Sequence, residues 1–430
     1  MRSRALCLFG SSIAVLALAA ACSKDEPAPA ANTTATATGS GGAGGADGDD
    51  KLVCPEAGVS KGPWALAVDA TNAKIRWEAC APGTSHTLSY AKEGGGAEAT
   101  IEAIETAFQV NKTYRAPLNA DAPPDYAGTY YMHEAKLTGL DAGACYTYAL
   151  KSDPARKGRF CTARPSGDAL RFMAIGDTNP ALGDSTKNVL KYALAKNPDF
   201  VLHGGDIQYY ASGLETWAFW FDAMQPMLSQ GAMYAAIGNH EFEKADEFEQ
   251  YTERFFANSG FDGTSAYYRF QSAGVWFFAL DTEQSLAADS EQWKWFEPSL
   301  ADAAGKLGYR FSVVYFHRPA VTCGDTSDDP ELTARLTPLL KQHKAPLVLQ
   351  AHMHGYERFE IEGITYITTA GGGGLMGDVS ANKDRATCKD RVIFGPYKHA
   401  MIFDVAGGEL TGQAIDEDGA VVDSFTKALP

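Results

Sequence analysis

The chain has 430 residues, 45% of them apolar and 21% charged, with 53 acidic against 37 basic side chains and a formal charge of −16. At roughly 100 to 200 residues per domain, that length makes two or three domains with real cores and excludes collagen-like and wholly disordered chains. With no basic excess to release counterions, nonspecific attraction to nucleic acid or to an anionic membrane surface is excluded as well.

Arg2 and Arg4 precede an apolar stretch from Ala5 to Ala21 that ends in Ala19-Ala20-Ala21-Cys22. A basic start, an apolar middle and small residues at the end mark an export signal. The pattern resembles a bacterial lipoprotein signal, which implies removal of residues 1–21, lipidation of Cys22 and a place in the cell envelope held by a lipid anchor. Residues 22–53 read as a flexible tether, because from Asp25 to Asp50 no large apolar residue is available to repay the entropy of ordering. Export puts Cys54, Cys80, Cys145, Cys161, Cys323 and Cys388 where disulfides persist. Six cysteines allow fifteen pairings. Cys145 and Cys161 flank two strand-like runs around Ser152-Asp153-Pro154, where a hairpin would bring them together, and sequence order favours 54 with 80 and 323 with 388.

Within 54–165 short strand-like runs (65–68, 74–80, 86–90, 130–137, 145–150 and 158–162) are separated by Gly, Pro and Asp clusters, with no competing helical period. That is the pattern of a β-sandwich. It holds no catalytic constellation, so a spacer or docking module is expected. After residue 167 strands alternate with helices: strands at 170–175, 199–203, 233–237, 275–280, 311–316 and 346–350, and helices at 185–195, 215–228, 291–303 and 330–342. The tail from 364 returns to strands. Such alternation predicts an α/β fold with helices on both sides of a sheet, whose ligands lie at the carboxyl ends of the strands.

Those carboxyl ends carry the chemistry. Strand 170–175 runs into Gly176-Asp177-Thr178-Asn179, strand 199–203 into Gly205-Asp206-Ile207-Gln208-Tyr209, and strand 233–237 into Gly238-Asn239-His240-Glu241. Strand 311–316 ends in His317-Arg318-Pro319, and strand 346–350 in Ala351-His352-Met353-His354-Gly355-Tyr356-Glu357-Arg358. In an extended segment His352 and His354 point the same way. A glycine ahead of the polar residue lets the strand turn sharply and an ion come close. A carboxylate such as Asp206 can bridge two metals about 3.5 to 4 Å apart, the spacing that clamps the attacking and leaving oxygens at phosphorus. A Gly-Asp pair alone is an ordinary turn and a lone strand-end His is ordinary core; five such pieces in succession point to one crevice.

The ordered set Gly-Asp, Gly-Asp-x-x-Tyr, Gly-Asn-His-Glu, His and His-x-His followed by Tyr-Glu-Arg resembles the calcineurin-like metallophosphoesterases, and among them the purple acid phosphatases. These use a Tyr three places after the second Asp, here Tyr209, and lack the His two places after the first, here Asn179. The β-sandwich resembles the fibronectin-type module that precedes the catalytic domain in plant-type members. The resemblance implies a two-sheet α/β/β/α sandwich over 168–430, preceded by an all-β fibronectin III-like sandwich over 54–165. It further implies a ferric site held by Asp177, Asp206, Tyr209 and His354, and a divalent site for Zn, Fe or Mn held by Asp206, Asn239, His317 and His352. Oxygen-rich ligation with a phenolate suits Fe(III), whereas amide and imidazole suit the divalent ion. Such a pair would activate water against a phosphate monoester, with His240 protonating the leaving alkoxide. His203, inside its strand, reads as structural, and Tyr356, Glu357 and Arg358 as braces of the His loop.

Three features depart from the family pattern. Asn179 and Ala351 stand where glycines are common, and His317 to Arg335 contains no further histidine where plant-type enzymes have more. That segment offers Arg318, Cys323 and Asp325 to Asp329 instead, which leaves open a phosphodiesterase or nucleotide-directed hydrolase on the same metals. A catalytically inert surface binding protein is the third reading, against which the complete ligand set weighs. In either enzymatic reading the substrate is a small-molecule phosphate ester.

Overall fold

The structure is a computed structural model that describes Cys54 and residues 58–83, 86–243, 250–256 and 261–429. The expected export signal, the tether and Cys22 lie outside the described residues. Among the described residues no helix is long and apolar enough to cross a membrane.

The N-terminal part is all β. One antiparallel sheet has the order Val59–Leu66, Asn72–Ala79, Gly128–Thr138, Ile104–Val110, and the other the order Ala99–Glu102, Thr87–Lys92, Cys145–Leu150, Lys157–Cys161. Alternate residues of Asn72–Ala79 (Ala73, Ile75, Trp77) are buried and pack with Leu88, Tyr148, Leu150 and Phe160 of the other sheet, as the period of two requires. Strands Ala99–Glu102 and Ile104–Val110 are missing from the sequence reading: they lie at sheet edges, and all their residues but Val110 are exposed or half-buried. The disulfides join Cys54 to Cys80, Cys145 to Cys161 and Cys323 to Cys388, the pairing that sequence order favours. Cys145 and Cys161 face each other across the expected hairpin.

The rest is a mixed α/β sandwich with two sheets. In the six-stranded sheet Leu170–Ile175, Phe200–His203 and Ala232–Ala235 run parallel, and His399–Ala406 returns antiparallel beside Leu170–Ile175. The eight-stranded sheet has a parallel centre of Val275–Ala279, Phe311–Tyr315, Leu347–Gln350 and Ile364–Thr369. Phe172 and Phe200 point inward to meet Phe277 of the opposite sheet, Phe172 at 5.1 Å and 82°. Met173 and Val201, one residue on, point outward to helices Ser185–Leu194 and Trp217–Leu228. Helices Glu291–Ala304 and Pro330–Gln342 cover Phe278, Val314 and Val348 on the far side. The layers are therefore α/β/β/α. The residue pattern read alone suggests one sheet; there are two because the last three strands, His399–Ala406, Glu409–Asp416 and Val421–Ala428, pair with the first half of the fold rather than extending the second.

The two parts are joined by buried polar contacts. The Asp125 carboxylate accepts hydrogen bonds from Trp217 N at 2.8 Å and Ala218 N at 3.0 Å, so a loop of the all-β part caps helix Trp217–Leu228. Glu78, fully buried, takes Lys61 Nζ at 2.6 Å on one oxygen and Arg254 Nε at 2.6 Å on the other. Burial alone would raise the Glu78 carboxyl, but Arg254 and Lys61 outweigh it and bring it down to about 2.

Candidate metal centre

Parallel strands all end on the same side of a sheet, so the loops after Leu170–Ile175, Phe200–His203, Ala232–Ala235, Phe311–Tyr315 and Leu347–Gln350 gather in one place. Three of their residues adopt backbone conformations that side chains rarely take: Asp177 at φ 56°, Asp206 at φ 49° and His352 at φ 68°. Left-handed backbone at such residues costs about 1–3 kcal/mol each and concentrates at functional sites. Glycine makes the turns possible. A Cβ on Gly238 would stand 2.2 Å from Asp206 Oδ1, and one on Gly205 would stand 2.8 Å from His317 Nδ1.

Apart from Cys22, the sequence-predicted site residues lie in this one cluster. Asp206 Oδ2 is 3.3 Å from His317 Nε2, and His317 Nε2 is 3.2 Å from Asn239 Oδ1 and 3.1 Å from His352 Nδ1. On the other side His354 Nε2 is 3.2 Å from Asp177 Oδ1 and 3.3 Å from the Tyr209 hydroxyl. Asp206, His317 and His352 bring one donor atom each within 4.8 Å of one another. His240 sits beside both groups: its ring is 4.3 Å from that of Tyr209, and its Nε2 is 3.7 Å from Asp206 Oδ2.

The second nitrogen of two imidazoles is committed elsewhere, which aims the first inward. A carbonyl only accepts, so His317 Nδ1 donates to Gly204 O at 3.0 Å and His354 Nδ1 to Leu375 O at 2.6 Å. Neutral His317 and His354 would then each present an Nε2 lone pair toward carboxylate oxygens and other lone pairs, an arrangement that needs a positive charge between them. Protons are one solution. Burial pulls His317 and His354 down, but Asp206 and Asp177 respectively push each up to about 9. His240, opposed by burial in the same way, rises to about 10 beside Asp206 and Glu243. Asp206, against its own burial, is held far below the usual carboxylate range by His317 and His240, while burial and the neighbouring His317 keep His352 well below its ordinary value. Divalent cations are the other solution, since they bind the same lone pairs and displace those protons. The donors present, two carboxylates, a phenol, an amide and imidazoles, fit transition-metal ions on chemical grounds. Asp177 Oδ1 fits as well, being buried with His354 Nε2 beside it at 3.2 Å.

Residues 170–356 match the family model described as calcineurin-like phosphoesterase. This is a calcineurin-like metallophosphoesterase domain. Its distant homologues include probable purple acid phosphatase 20 of Arabidopsis thaliana, 27% identical over 242 residues covering 51% of this chain and 55% of the relative. An uncharacterised protein of Mycobacterium tuberculosis is 27% identical over 53% of this chain and 50% of its own length. The chain thus spans about half the length of the curated relatives it matches, one of which is named a probable inactive purple acid phosphatase. Among solved structures, a purple acid phosphatase from yellow lupin seeds shares the fold with a TM-score of 0.68 at 17% identity, covering 85% of this chain and 74% of its own.

Within the metallophosphoesterase domain the residues that hold the loops in place are the ones sequence reasoning missed. Glu241 is buried and accepts from Asp206 N at 3.0 Å, Ile207 N at 2.8 Å and Gly238 N at 2.7 Å, tying two of these loops together. Glu215 accepts from Tyr209 N at 2.8 Å. The only signal for Glu241 was its place in Gly-Asn-His-Glu. Glu357, expected to brace the His loop, instead accepts from Thr322 Oγ1 at 2.6 Å and Cys323 N at 2.9 Å, and so fixes the segment after His317. Tyr356 and Arg358 both bind Asp423, each at 2.7 Å. His203 is fully buried, 3.0 Å from Thr178 Oγ1, and lowered by burial to about 3. Arg318 stands at the rim, 3.2 Å from His352 Nε2 and held by Glu283 at 2.7 Å.

Proposed function

We propose that this protein is an exported dinuclear-metal phosphatase that hydrolyses small-molecule phosphate monoesters. The observation that carries the reading is the convergence of Asp177, Asp206, Tyr209, Asn239, His317, His352 and His354 from five strand ends. Asp177, Asp206, Tyr209 and His354 would hold Fe(III), and Asp206, Asn239, His317 and His352 a divalent Zn, Fe or Mn ion. Bound there, the metals would polarise the phosphoryl group and lower the pKa of the attacking water.

The chain's own residues supply the rest. His240 Nδ1 faces the Glu243 carboxylate at 3.2 Å and Ser212 Oγ at 3.3 Å, which leaves the proton on Nε2 to pass to the departing alkoxide. Glu241 keeps Asp206 and Asn239 in register, and the Arg318 guanidinium at the rim can meet a phosphate oxygen. The three disulfides support an oxidising compartment, and lipidation at Cys22 would tether the enzyme to the envelope.

Turnover of an aryl phosphate monoester and of a bis-aryl diester, measured beside metal content, tests this. The wild type is expected to favour the monoester and carry two metals, and Asp206→Asn to lose both metal and turnover. Undiminished turnover in Asp206→Asn would refute the reading. A second reading, a phosphodiesterase, is favoured by one feature: the segment after His317 offers Arg318 and no further histidine. Preference for the diester would select it.

A further inference from the structure

The all-β part carries a second cluster of donors that the centre above does not use. We propose that His86, Glu105 and His133 form a separate binding site for a divalent transition cation of the zinc type. Glu105 and His133 sit directly opposite each other on paired strands, so their side chains share one face. His86 comes from the other sheet. It immediately precedes Thr87–Lys92, and its carbonyl accepts from Ala103 N at 2.8 Å, at the residue where the chain leaves one sheet for the other.

One donor atom from each of the three lies within 4.8 Å of the other two. Glu105 Oε2 is 3.3 Å from His133 Nε2 and 3.6 Å from His86 Nε2. Tetrahedral bonds of about 2.0–2.1 Å to zinc place neighbouring donors roughly 3.3 Å apart, whereas an ionised N–H···O pair closes to about 2.7–2.9 Å. The separations match edges of a coordination shell better than an ion pair.

His133 is oriented as metal-bound imidazoles are. Its Nδ1 lies 3.1 Å from Tyr131 O, which can only accept, so Nε2 is the nitrogen turned to Glu105. The ring is fully buried and stacks on Trp77 at 5.2 Å and 7°. Two imidazoles and one carboxylate suit zinc or a neighbouring first-row ion rather than calcium or magnesium. His86 and Glu105 are 31% and 22% exposed, so an ion can enter from solvent with water completing its shell. Bound there, it would clip the two sheets together at their edge.

The test is zinc binding by the full-length protein, measured as metal per chain after dialysis against micromolar zinc, with the thermal midpoint recorded with and without zinc. His86→Ala and Glu105→Gln alter half-exposed side chains, and turnover at the main centre reports that each variant is folded. The expected result is one zinc fewer per chain in both variants, unchanged turnover, and loss of part of the zinc-induced rise in midpoint. Equal zinc content and an equal midpoint shift in wild type and variants would overturn the site.

Discussion

Glu78, Lys61 and Arg254 form one buried cluster of charge, and the strand ends bearing Asp177, Asp206 and four histidines form another; the two are built in opposite ways. In the first, cationic nitrogens meet the carboxylate at 2.6 Å on both oxygens, and Ser60 Oγ adds a third bond at 2.7 Å. In the second, acceptors face acceptors at 3.1 to 3.3 Å, as between His317 and His352 or His354 and Asp177. A cluster that closes on itself holds structure together. One that leaves its lone pairs aimed at a common point has a use for a cation, and the backbone strain at Asp177, Asp206 and His352 belongs to that second kind alone.

The comparison breaks most sharply at Glu78. Truncating one member of a buried ionic group strands the others, at a cost of about 3–5 kcal/mol. Glu78→Ala should therefore lose that much in urea unfolding while metal content per folded chain stays as it was. The acid limb follows from the same contact. A carboxyl at about 2 when folded and at the ordinary 4.5 when unfolded gives stability that is complete above about pH 4.5. That stability is lost as the pH falls toward 2, because there the unfolded chain binds the extra proton, and it amounts to about 3 kcal/mol. A Glu78→Gln variant whose stability stays parallel to wild type through that window would show that the cluster is not the source.

Glu241 sharpens the other side of the comparison. It coordinates nothing in the proposed centre, yet it fixes three backbone N–H groups on two of its loops. Groups that position ligands typically contribute 10–100-fold to metal affinity or activity. Glu241→Gln is expected to weaken metal binding by about that factor, with a smaller loss of thermal stability. A drop in stability with unchanged metal affinity would make it a folding residue only.

The two clusters also differ in how far they could be read in advance. The residues of the proposed centre were legible because each sits within a few residues of a strand end, and all but His317 also near a glycine, so type and spacing carry the chemistry locally. Glu78 and Arg254 are 176 residues apart, and nothing local in either marks the partner. His86, Glu105 and His133 escaped for the same reason, and two of the strands around them did too, being edge strands with little buried alternation. The second sheet was likewise hidden from residue patterns, since His399–Ala406 pairs with Leu170–Ile175 across more than half of the folded chain.

The smallest expected effect tests whether burial, rather than distance, divides these clusters from ordinary surface pairs. Lys341 Nζ and Glu362 Oε2 are 2.7 Å apart, nearly the spacing found at Glu78, but their side chains are 48% and 65% exposed. Water competes for both ions there, salt screens what remains, and holding two long side chains in one geometry costs entropy, so such pairs are worth about 0–1 kcal/mol. Glu362→Gln should shift the urea midpoint by no more than that, and the small difference from wild type should vanish in 1 M salt. If Glu362→Gln instead cost as much as Glu78→Ala, contact distance alone would set the energy of an ion pair in this protein, and the contrast drawn from burial between the closed cluster and the open one would fail.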